Sequence, residues 1–146
     1  MYSGKILALR TSEMNQISMT NTTSATKKLL IVDDSKVSRM VIKARILDVH
    51  PEWQIIEAAS GNEAIELVDV DTPEYCTMDI NMPGILGTDA AEQILAKHPQ
   101  MRIVIFSANI QETFQNRAST IGATFVAKPV TERSIAEAIA HFTRLP

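Results

Sequence analysis

The sequence has little cysteine and no long apolar run. Its 146 residues include one cysteine, Cys76, which excludes a disulfide within the chain. Cys76 lies in an apolar run, so we expect it to be a reduced core residue. No apolar run approaches the roughly 18 residues that span a bilayer. The stretch Ile6-Leu7-Ala8-Leu9 is too short for a secretory signal, so we expect a cytoplasmic protein without membrane insertion.

An excess of basic charge is also missing. The formal net charge is -3, with 14 Lys and Arg residues against 17 Asp and Glu residues. A nucleic-acid-binding domain usually carries a basic stripe, so we expect no direct contact with nucleic acid. Apolar residues make up 45% of the chain and charged residues 21%, as in an ordinary globular domain. This length suits a single domain with a proper core.

The start of the chain differs from the rest. Residues 11–26 are rich in Ser, Thr and Asn and have no hydrophobic period. Such a segment buries too little apolar surface to offset the entropy lost on ordering. We therefore predict a flexible N-terminal tail over residues 1–26 and one folded domain over residues 27–146.

Within that domain, short apolar runs alternate with helical patterns. Strands are predicted over residues 28–33, 53–58, 75–80, 102–107 and 124–128. Helices are predicted over residues 36–49, 60–70, 88–97, 111–121 and 131–142. Five rounds of strand and helix imply a parallel sheet covered on both faces and joined by right-handed crossovers. Sites in such sheets lie beyond the carboxyl ends of the strands.

The first predicted helix has a clear apolar repeat. Ser35 is a good N-cap, and the i, i+3, i+4 spacing of an amphipathic helix is followed by Val37, Met40, Val41, Ala44 and Leu47. The repeat predicts that these five side chains face the core. A basic line on the same helix would then be solvated, and it consists of Lys36, Arg39 and Lys43.

Polar side chains stand at four of the five predicted strand ends: Asp33 and Asp34, Asp79, Ser107, and Lys128. Each is unremarkable alone, and their joint arrangement carries the signal. Three neighbouring carboxylates repel one another unless a cation is present, and oxygen-only ligands suit Mg²⁺. The Mg²⁺, the Lys128 ammonium and the Ser107 hydroxyl could together hold a phosphoryl group. Asp79 is best placed to attack its phosphorus.

Four motifs carry a family resemblance. They are I-V-D-D-S at 31–35, M-D-I-N-M-P-G at 78–84, I-F-S-A at 105–108 and A-K-P at 127–129. From Lys27 to Phe142 the chain resembles a CheY-like response-regulator receiver domain of bacterial two-component signalling. The resemblance implies a flavodoxin-like (βα)5 fold, a doubly wound sandwich around a five-stranded parallel sheet of order 2-1-3-4-5.

The resemblance also implies how the site would work. Asp79 would accept a phosphoryl group from a sensor histidine kinase or a phosphotransfer protein. Mg²⁺ would be bound directly by Asp34 and through water by Asp33, with Asp79 and the backbone carbonyl of Asn81 completing the set. The phosphoryl oxygens would be bound by Ser107 and Lys128.

Signalling would pass through an aromatic switch residue, Phe125, to a downstream effector protein. Phe125 lacks the hydroxyl of the Tyr that is frequent at this position. Ile85 and Leu86 replace the more usual Met-Asp before Gly87. None of these departures removes a residue needed for phosphorylation. The first helix would be a plausible surface for docking the kinase.

Other functions remain open at this point. The residues outside the predicted domain leave no room for an output domain, so we expect a stand-alone receiver, although the chain could be one part of a longer hybrid protein. A haloacid-dehalogenase-like phosphatase also combines an Asp nucleophile, Mg²⁺, Ser or Thr, and Lys. Its D-x-D motif, however, follows the first strand, whereas Asp79-Ile80-Asn81 follows the third. A receiver that is not phosphorylated and serves only as a binding module is the third reading.

Overall fold

The computed structural model describes residues 26–144. The predicted flexible tail, apart from Thr26, lies outside the described residues. The strands are β1 (Lys28–Val32), β2 (Gln54–Ala58), β3 (Tyr75–Met78), β4 (Arg102–Ser107) and β5 (Thr124–Ala127). The helices are α1 (Lys36–Val49), α2 (Gly61–Asp71), α3 (Gly87–Lys97), α4 (Glu112–Thr120) and α5 (Glu132–Thr143).

All five strands are parallel and form one sheet in the order β2-β1-β3-β4-β5. The predicted flavodoxin-like (βα)5 fold is therefore confirmed. The register aligns the strand ends, because Val32 pairs with both Ala58 and Met78, and Ser107 pairs with Ala127. The residues that follow these strands consequently meet at one edge of the sheet.

Several predicted strands were too long by one or two residues. Asp33, Asp79 and Lys128 lie just past the ends of β1, β3 and β5, and Trp53 lies just before β2. The three charged residues still donate their backbone N–H groups to a neighbouring strand. They leave the regular ladder where their side chains turn toward one another at the edge.

The core has two layers, one on each face of the sheet. Alternate residues of β1 divide between them: Leu30 and Val32 pack with α2, α3 and α4, whereas Leu29 and Ile31 pack with α1 and α5. Cys76 is fully buried, as predicted. Burial raises the pKa of its thiol well above the usual range, so Cys76 is an inert packing residue.

The predicted core face of α1 was wrong. Val37 is 69% exposed, Met40 58% and Val41 39%. The residues that α1 buries are Ile42 and Ile46. The basic line turns partly inward instead. Arg39 donates to the carboxylate of Glu57 (2.8 Å) and to the backbone oxygen of Asp33 (2.7 Å). Two apolar stripes on α1 have helical spacing, and the one formed by Ile42 and Ile46 packs on the sheet.

On α5 the buried apolar side chains include Ile135, Ala138 and Phe142. Within residues 26–144, each helix is too short or too polar to cross a bilayer.

Candidate functional site

The two acidic strand ends are held side by side by backbone hydrogen bonds. The Asp33 N–H donates to the Ala58 carbonyl (3.1 Å), and the Asp79 N–H donates to the Val32 carbonyl (3.0 Å). These bonds continue the sheet by one residue beyond β1 and β3. One carboxylate oxygen from each of Asp33, Asp34 and Asp79 lies within 4.8 Å of the other two. The predicted acidic cluster is therefore present at the carboxyl edge.

Lys128 brings a positive charge into this cluster from the far edge strand. Its backbone N–H donates to the Ser107 carbonyl (2.9 Å), and the Lys128-Pro129 peptide bond that follows is cis. The ammonium Nζ lies 2.8 Å from Asp33 Oδ2 and 3.9 Å from Asp79 Oδ2. It also donates to the hydroxyl of Ser38 (3.1 Å). Ser38 was not predicted, because an isolated serine in a helix carries no signal in the sequence.

The charges of the cluster do not balance. Three carboxylates against one ammonium leave an excess of two negative charges. Burial raises the pKa of Asp79 above its ordinary value, the carboxylate of Asp33 raises it further, and the ammonium of Lys128 opposes both. A second source of positive charge would relieve this repulsion and favour the ionised, nucleophilic form of Asp79.

The donor set fits Mg²⁺, which prefers oxygen ligands from one or two carboxylates. Both oxygens of Asp33 are already engaged, Oδ1 by the Ser35 N–H (2.9 Å) and Oδ2 by Lys128 (2.8 Å). Asp34 is exposed, so its carboxylate can approach a cation without breaking an ion pair. Of the two carboxylates, that of Asp34 is therefore the more accessible to a cation.

Asn81 lies in the loop after β3, and Ser107 is the last residue of β4, where the next loop begins. The side-chain oxygen of Asn81 accepts a hydrogen bond from the Asn109 amide (3.1 Å). Ser107 is buried, and its oxygen accepts the Asn109 N–H (3.0 Å). The Ser107 hydroxyl proton can therefore still be donated to an anionic ligand. Asn109 links these two loops and was missed, because it follows a motif that ends at residue 108.

Gly87 fixes the backbone of Asp79. A Cβ atom at this position would lie 1.7 Å from the Asp79 carbonyl oxygen, and the Gly87 N–H donates to the Ile80 carbonyl (2.9 Å). Only glycine allows α3 to begin this close to the strand end. The sequence placed Gly87 in a loop pattern but gave no reason for it, because the clash depends on tertiary structure.

Phe125 lies outside the charged cluster. It pairs with Ile105 in the sheet, and its half-buried ring packs against the core layer that includes α4. It lies on β5, three residues before Lys128, which follows that strand.

The fold and this edge define the class: a flavodoxin-like α/β protein with an acidic triad and a lysine beyond a parallel sheet. Comparison with known proteins agrees with this description of the fold. Residues 29–140 match the family model of the response regulator receiver domain. The chain belongs to this family.

Known relatives include a chemotaxis protein and a transcriptional regulator. The chain is 37% identical to chemotaxis protein CheY of Listeria monocytogenes over 114 residues, which are 77% of this chain and 94% of that protein. It is 28% identical over 114 residues to the transcriptional regulatory protein DegU of Brevibacillus brevis, covering 77% of this chain and 48% of that protein. The chain thus spans about half the length of DegU but nearly all of CheY.

A solved structure matches at similar coverage. It is the CheX-CheY-BeF3-Mg²⁺ complex from Borrelia burgdorferi, with a TM-score of 0.69 and 27% identity, covering 78% of this chain and 87% of that chain.

Proposed function

We propose that this receiver accepts a phosphoryl group on Asp79 in a Mg²⁺-dependent reaction. The observation that carries the proposal is the contact set of Lys128, whose ammonium stands 2.8 Å from Asp33 and 3.9 Å from Asp79. A lysine poised between a candidate metal ligand and a half-buried carboxylate suits phosphoryl transfer, which proceeds by positioning and charge neutralisation.

In the proposed step, a carboxylate oxygen of Asp79 attacks the phosphorus of a phosphohistidine on the donor. The new bond is P–O and the broken bond is P–N, and the leaving imidazole takes up a proton. Lys128 and the Ser107 hydroxyl bind phosphoryl oxygens. When bound, Mg²⁺ would supply further positive charge to those oxygens, held by Asp33, Asp34, Asp79 and the carbonyl of Asn81. The similar CheY of Borrelia burgdorferi, solved in complex with BeF3 and Mg²⁺, supports this chemistry.

The exposed apolar stripe of α1 is our proposed docking surface for the phosphodonor. Val37, Met40 and Val41 begin three residues after Asp34 and are 39–69% exposed. An apolar patch of this kind beside a charged site indicates a protein contact. The expected donor is a sensor histidine kinase or a phosphotransfer protein. An apolar helix face on that donor would bury the stripe while its phosphohistidine reaches Asp79.

Output is proposed to pass through Phe125 to a downstream effector. The added phosphoryl carries about -1.5 to -2 charge, and Ser107 would turn toward it. The space left behind β4 would admit the Phe125 ring and change the surface of α4, β5 and α5. We propose a stand-alone receiver over residues 27–146 that acts in the cytoplasm by protein binding. Apart from its own phosphorylation and dephosphorylation, we expect no catalysis.

Family membership leaves the phosphatase reading without support. A receiver that only binds partners is the remaining alternative, and labelling decides between the two. With acetyl phosphate and Mg²⁺, we expect the wild type to carry an acyl-phosphate label and Asp79→Asn to carry none. The matched control is Asp48→Asn, an exposed aspartate on α1, which should label as the wild type does. Full labelling of Asp79→Asn would refute the assignment of Asp79. No labelling of any variant would favour the binding module.

A further inference from the structure

Ser38 on α1 contacts the phosphorylation site, although it lies outside the four motifs. Among the described residues, the Lys128 ammonium donates to two side chains, to Asp33 Oδ2 at 2.8 Å and to Ser38 Oγ at 3.1 Å. An ammonium has three protons to donate, so one remains. Asp79 Oδ2 lies 3.9 Å from Nζ, which is beyond hydrogen-bond distance. The remaining proton is therefore available for an oxygen of a phosphoryl group on Asp79.

Four hydrogen bonds join Ser38, Asp33 and Lys128 in a closed ring. The Ser35 N–H donates to Asp33 Oδ1 (2.9 Å), and the Ser38 N–H donates to Ser35 Oγ (3.2 Å). The two bonds from the Lys128 ammonium, to Ser38 Oγ and to Asp33 Oδ2, complete the ring. Lys128 is thus ordered before a phosphodonor arrives, and less of its freedom remains to be lost in the reaction.

The first turn of α1, which carries Ser38, is itself held in place. The next residue, Arg39, donates to the backbone oxygen of Asp33 (2.7 Å) and to Glu57 Oε1 on β2 (2.8 Å). The side chain of Arg39 is 15% exposed, and hydrogen bonds between a guanidinium and a carboxylate are among the stronger ones in proteins. The oxygen of Ser38 therefore has a fixed position relative to Asp33.

A neutral acceptor at this position affects where the ammonium lies. Lys128 is attracted by two carboxylates, Asp33 at 2.8 Å and Asp79 at 3.9 Å. Direct contact with Asp79 would occupy an oxygen that has to attack phosphorus. The Ser38 hydroxyl carries no charge, so it binds the ammonium on the α1 side without adding to the repulsion among the carboxylates.

We propose that Ser38 is a positioning residue for phosphoryl transfer, and this inference rests on the proposed function of the site. Its hydroxyl holds the Lys128 ammonium beside Asp33 and out of contact with Asp79. The nucleophile then stays open, and one N–H of Lys128 is free to bind a phosphoryl oxygen. Ser38 acts through Lys128 and not by contact with the phosphoryl group. Without the hydroxyl, the ammonium keeps only Asp33 and can turn toward Asp79.

The NMR signal of the Lys128 ammonium tests this placement without any phosphorylation. Hydrogen-bonded ammonium protons exchange slowly with water, and the signal is assigned through its coupling to the side-chain carbons. We expect exchange to be about 10-fold faster in Ser38→Ala, the lower end of what a hydrogen bond to a charged group contributes. Ser38→Thr keeps the hydroxyl and should exchange as the wild type does. Equal exchange in the wild type and Ser38→Ala, or equally fast exchange in both variants, would overturn the proposal.

The rate of labelling by acetyl phosphate at saturating Mg²⁺ measures the consequence for the reaction. Misplacing a catalytic group by about 1 Å can cost about 100-fold in rate. Because Lys128 keeps its bond to Asp33, we expect a smaller loss, about 10-fold, in Ser38→Ala. Ser38→Thr should label at the wild-type rate. A wild-type rate in Ser38→Ala, or an equal loss in Ser38→Thr, would overturn the proposal.

Ser119→Ala is the matched control for these measurements. Ser119 is an exposed serine of α4, and its replacement by alanine changes helix propensity in the same way as Ser38→Ala. It should leave both the ammonium exchange and the labelling rate unchanged. No labelling of the wild type would refute the proposed function instead, and the ammonium signal would still decide whether Ser38 holds Lys128.

Discussion

The two ends of the sheet are built from the same five strands and have opposite character. The carboxyl end gathers three carboxylates and Lys128 within a few ångströms, and burial raises the pKa of Asp79. The amino end gathers Trp53, Tyr75 and Phe142 in a continuous ring stack. The carboxylates at the carboxyl end repel one another, and a bound cation could reduce that repulsion. The aromatic rings at the amino end pack against one another.

This contrast indicates that the two ends of the sheet contribute differently to the stability of the folded state. Like charges placed side by side destabilise the folded state, whereas buried aromatic rings contribute large hydrophobic burial and favourable stacking. We infer that the amino end supplies stability which allows the carboxyl end to remain strained. Mutations at the two ends should therefore affect different measurements.

Trp53→Ala should have the largest effect on folding. Removing a buried tryptophan costs about 3–5 kcal/mol, so the urea midpoint should fall sharply, while Mg²⁺ binding by the folded protein stays as in the wild type. Far-UV circular dichroism is the suitable probe because the variant has no tryptophan. Val70→Ala, at a position 79% exposed, is the control and should change little. A matching loss of Mg²⁺ affinity in Trp53→Ala would mean that the two ends are coupled.

The sequence predicted the fold better than it predicted the surfaces. All five strands and five helices were anticipated to within about two residues, because buried parallel strands are short apolar runs between helical patterns. The face of α1 was not, since Val37-Met40-Val41 and Ile42-Ile46 both have helical spacing. Which stripe meets the sheet depends on packing with α5, and no local pattern contains that information.

The site residues that directly follow a strand were predictable from the sequence. Asp33, Asp79 and Lys128 stand next to apolar runs, and parallel strands bring such ends together. The partners Ser38 and Asn109 and the close approach of Gly87 were not predictable. They act through contacts between elements distant in sequence, and small polar residues in helices and loops are too common to single out.

Asp34→Ala and Asp33→Ala should sharpen the description of the acidic end. As the direct ligand, Asp34 should matter more for Mg²⁺, and its loss should weaken binding by about 100-fold, the upper end of what even indirect ligand partners contribute. Without Mg²⁺, Asp34→Ala should also melt at a higher temperature, because it removes repulsion. Asp33→Ala should melt lower, because Lys128 loses its buried partner.

Titration calorimetry with Mg²⁺ and melting curves without it give both readouts. Asp48→Ala, an exposed acidic position on α1, controls for net charge. Equal Mg²⁺ affinities in the Asp33 and Asp34 variants would contradict their different roles.

Phe125→Ala tests whether the acidic end communicates with a surface. Allosteric coupling is typically worth ~1–3 kcal/mol, or about 5–150-fold in affinity. The variant should keep Mg²⁺ binding and acetyl phosphate labelling but lose most of that coupling. Beryllofluoride, used as a phosphoryl mimic, should shift amide NMR signals of α4 and α5 in the wild type and far less in the variant.

Val126→Ala is the matched control, because Val126 neighbours Phe125 on β5 but packs in the opposite core layer. It should retain the beryllofluoride response. If the α4 and α5 shifts survive unchanged in Phe125→Ala, its role as a switch is wrong, and the assignment of Asp79 is unaffected.

The pH dependence of stability should show the smallest effect and tests the sign of the strain at Asp79. Its pKa is raised in the folded state, chiefly by burial, so the native protein binds this proton more tightly than the unfolded chain does. The stabilisation is fully present below the unfolded pKa of about 3.9 and is lost as pH rises through the folded pKa. Asp79→Asn does not titrate. Its stability relative to the wild type should therefore increase with pH across that window and stay level above it. Urea unfolding of both proteins without Mg²⁺, from acidic to neutral pH, measures the difference. A difference that decreases as pH rises would mean that attraction to Lys128 outweighs burial, and the carboxyl end would then be stabilised rather than strained by its charges.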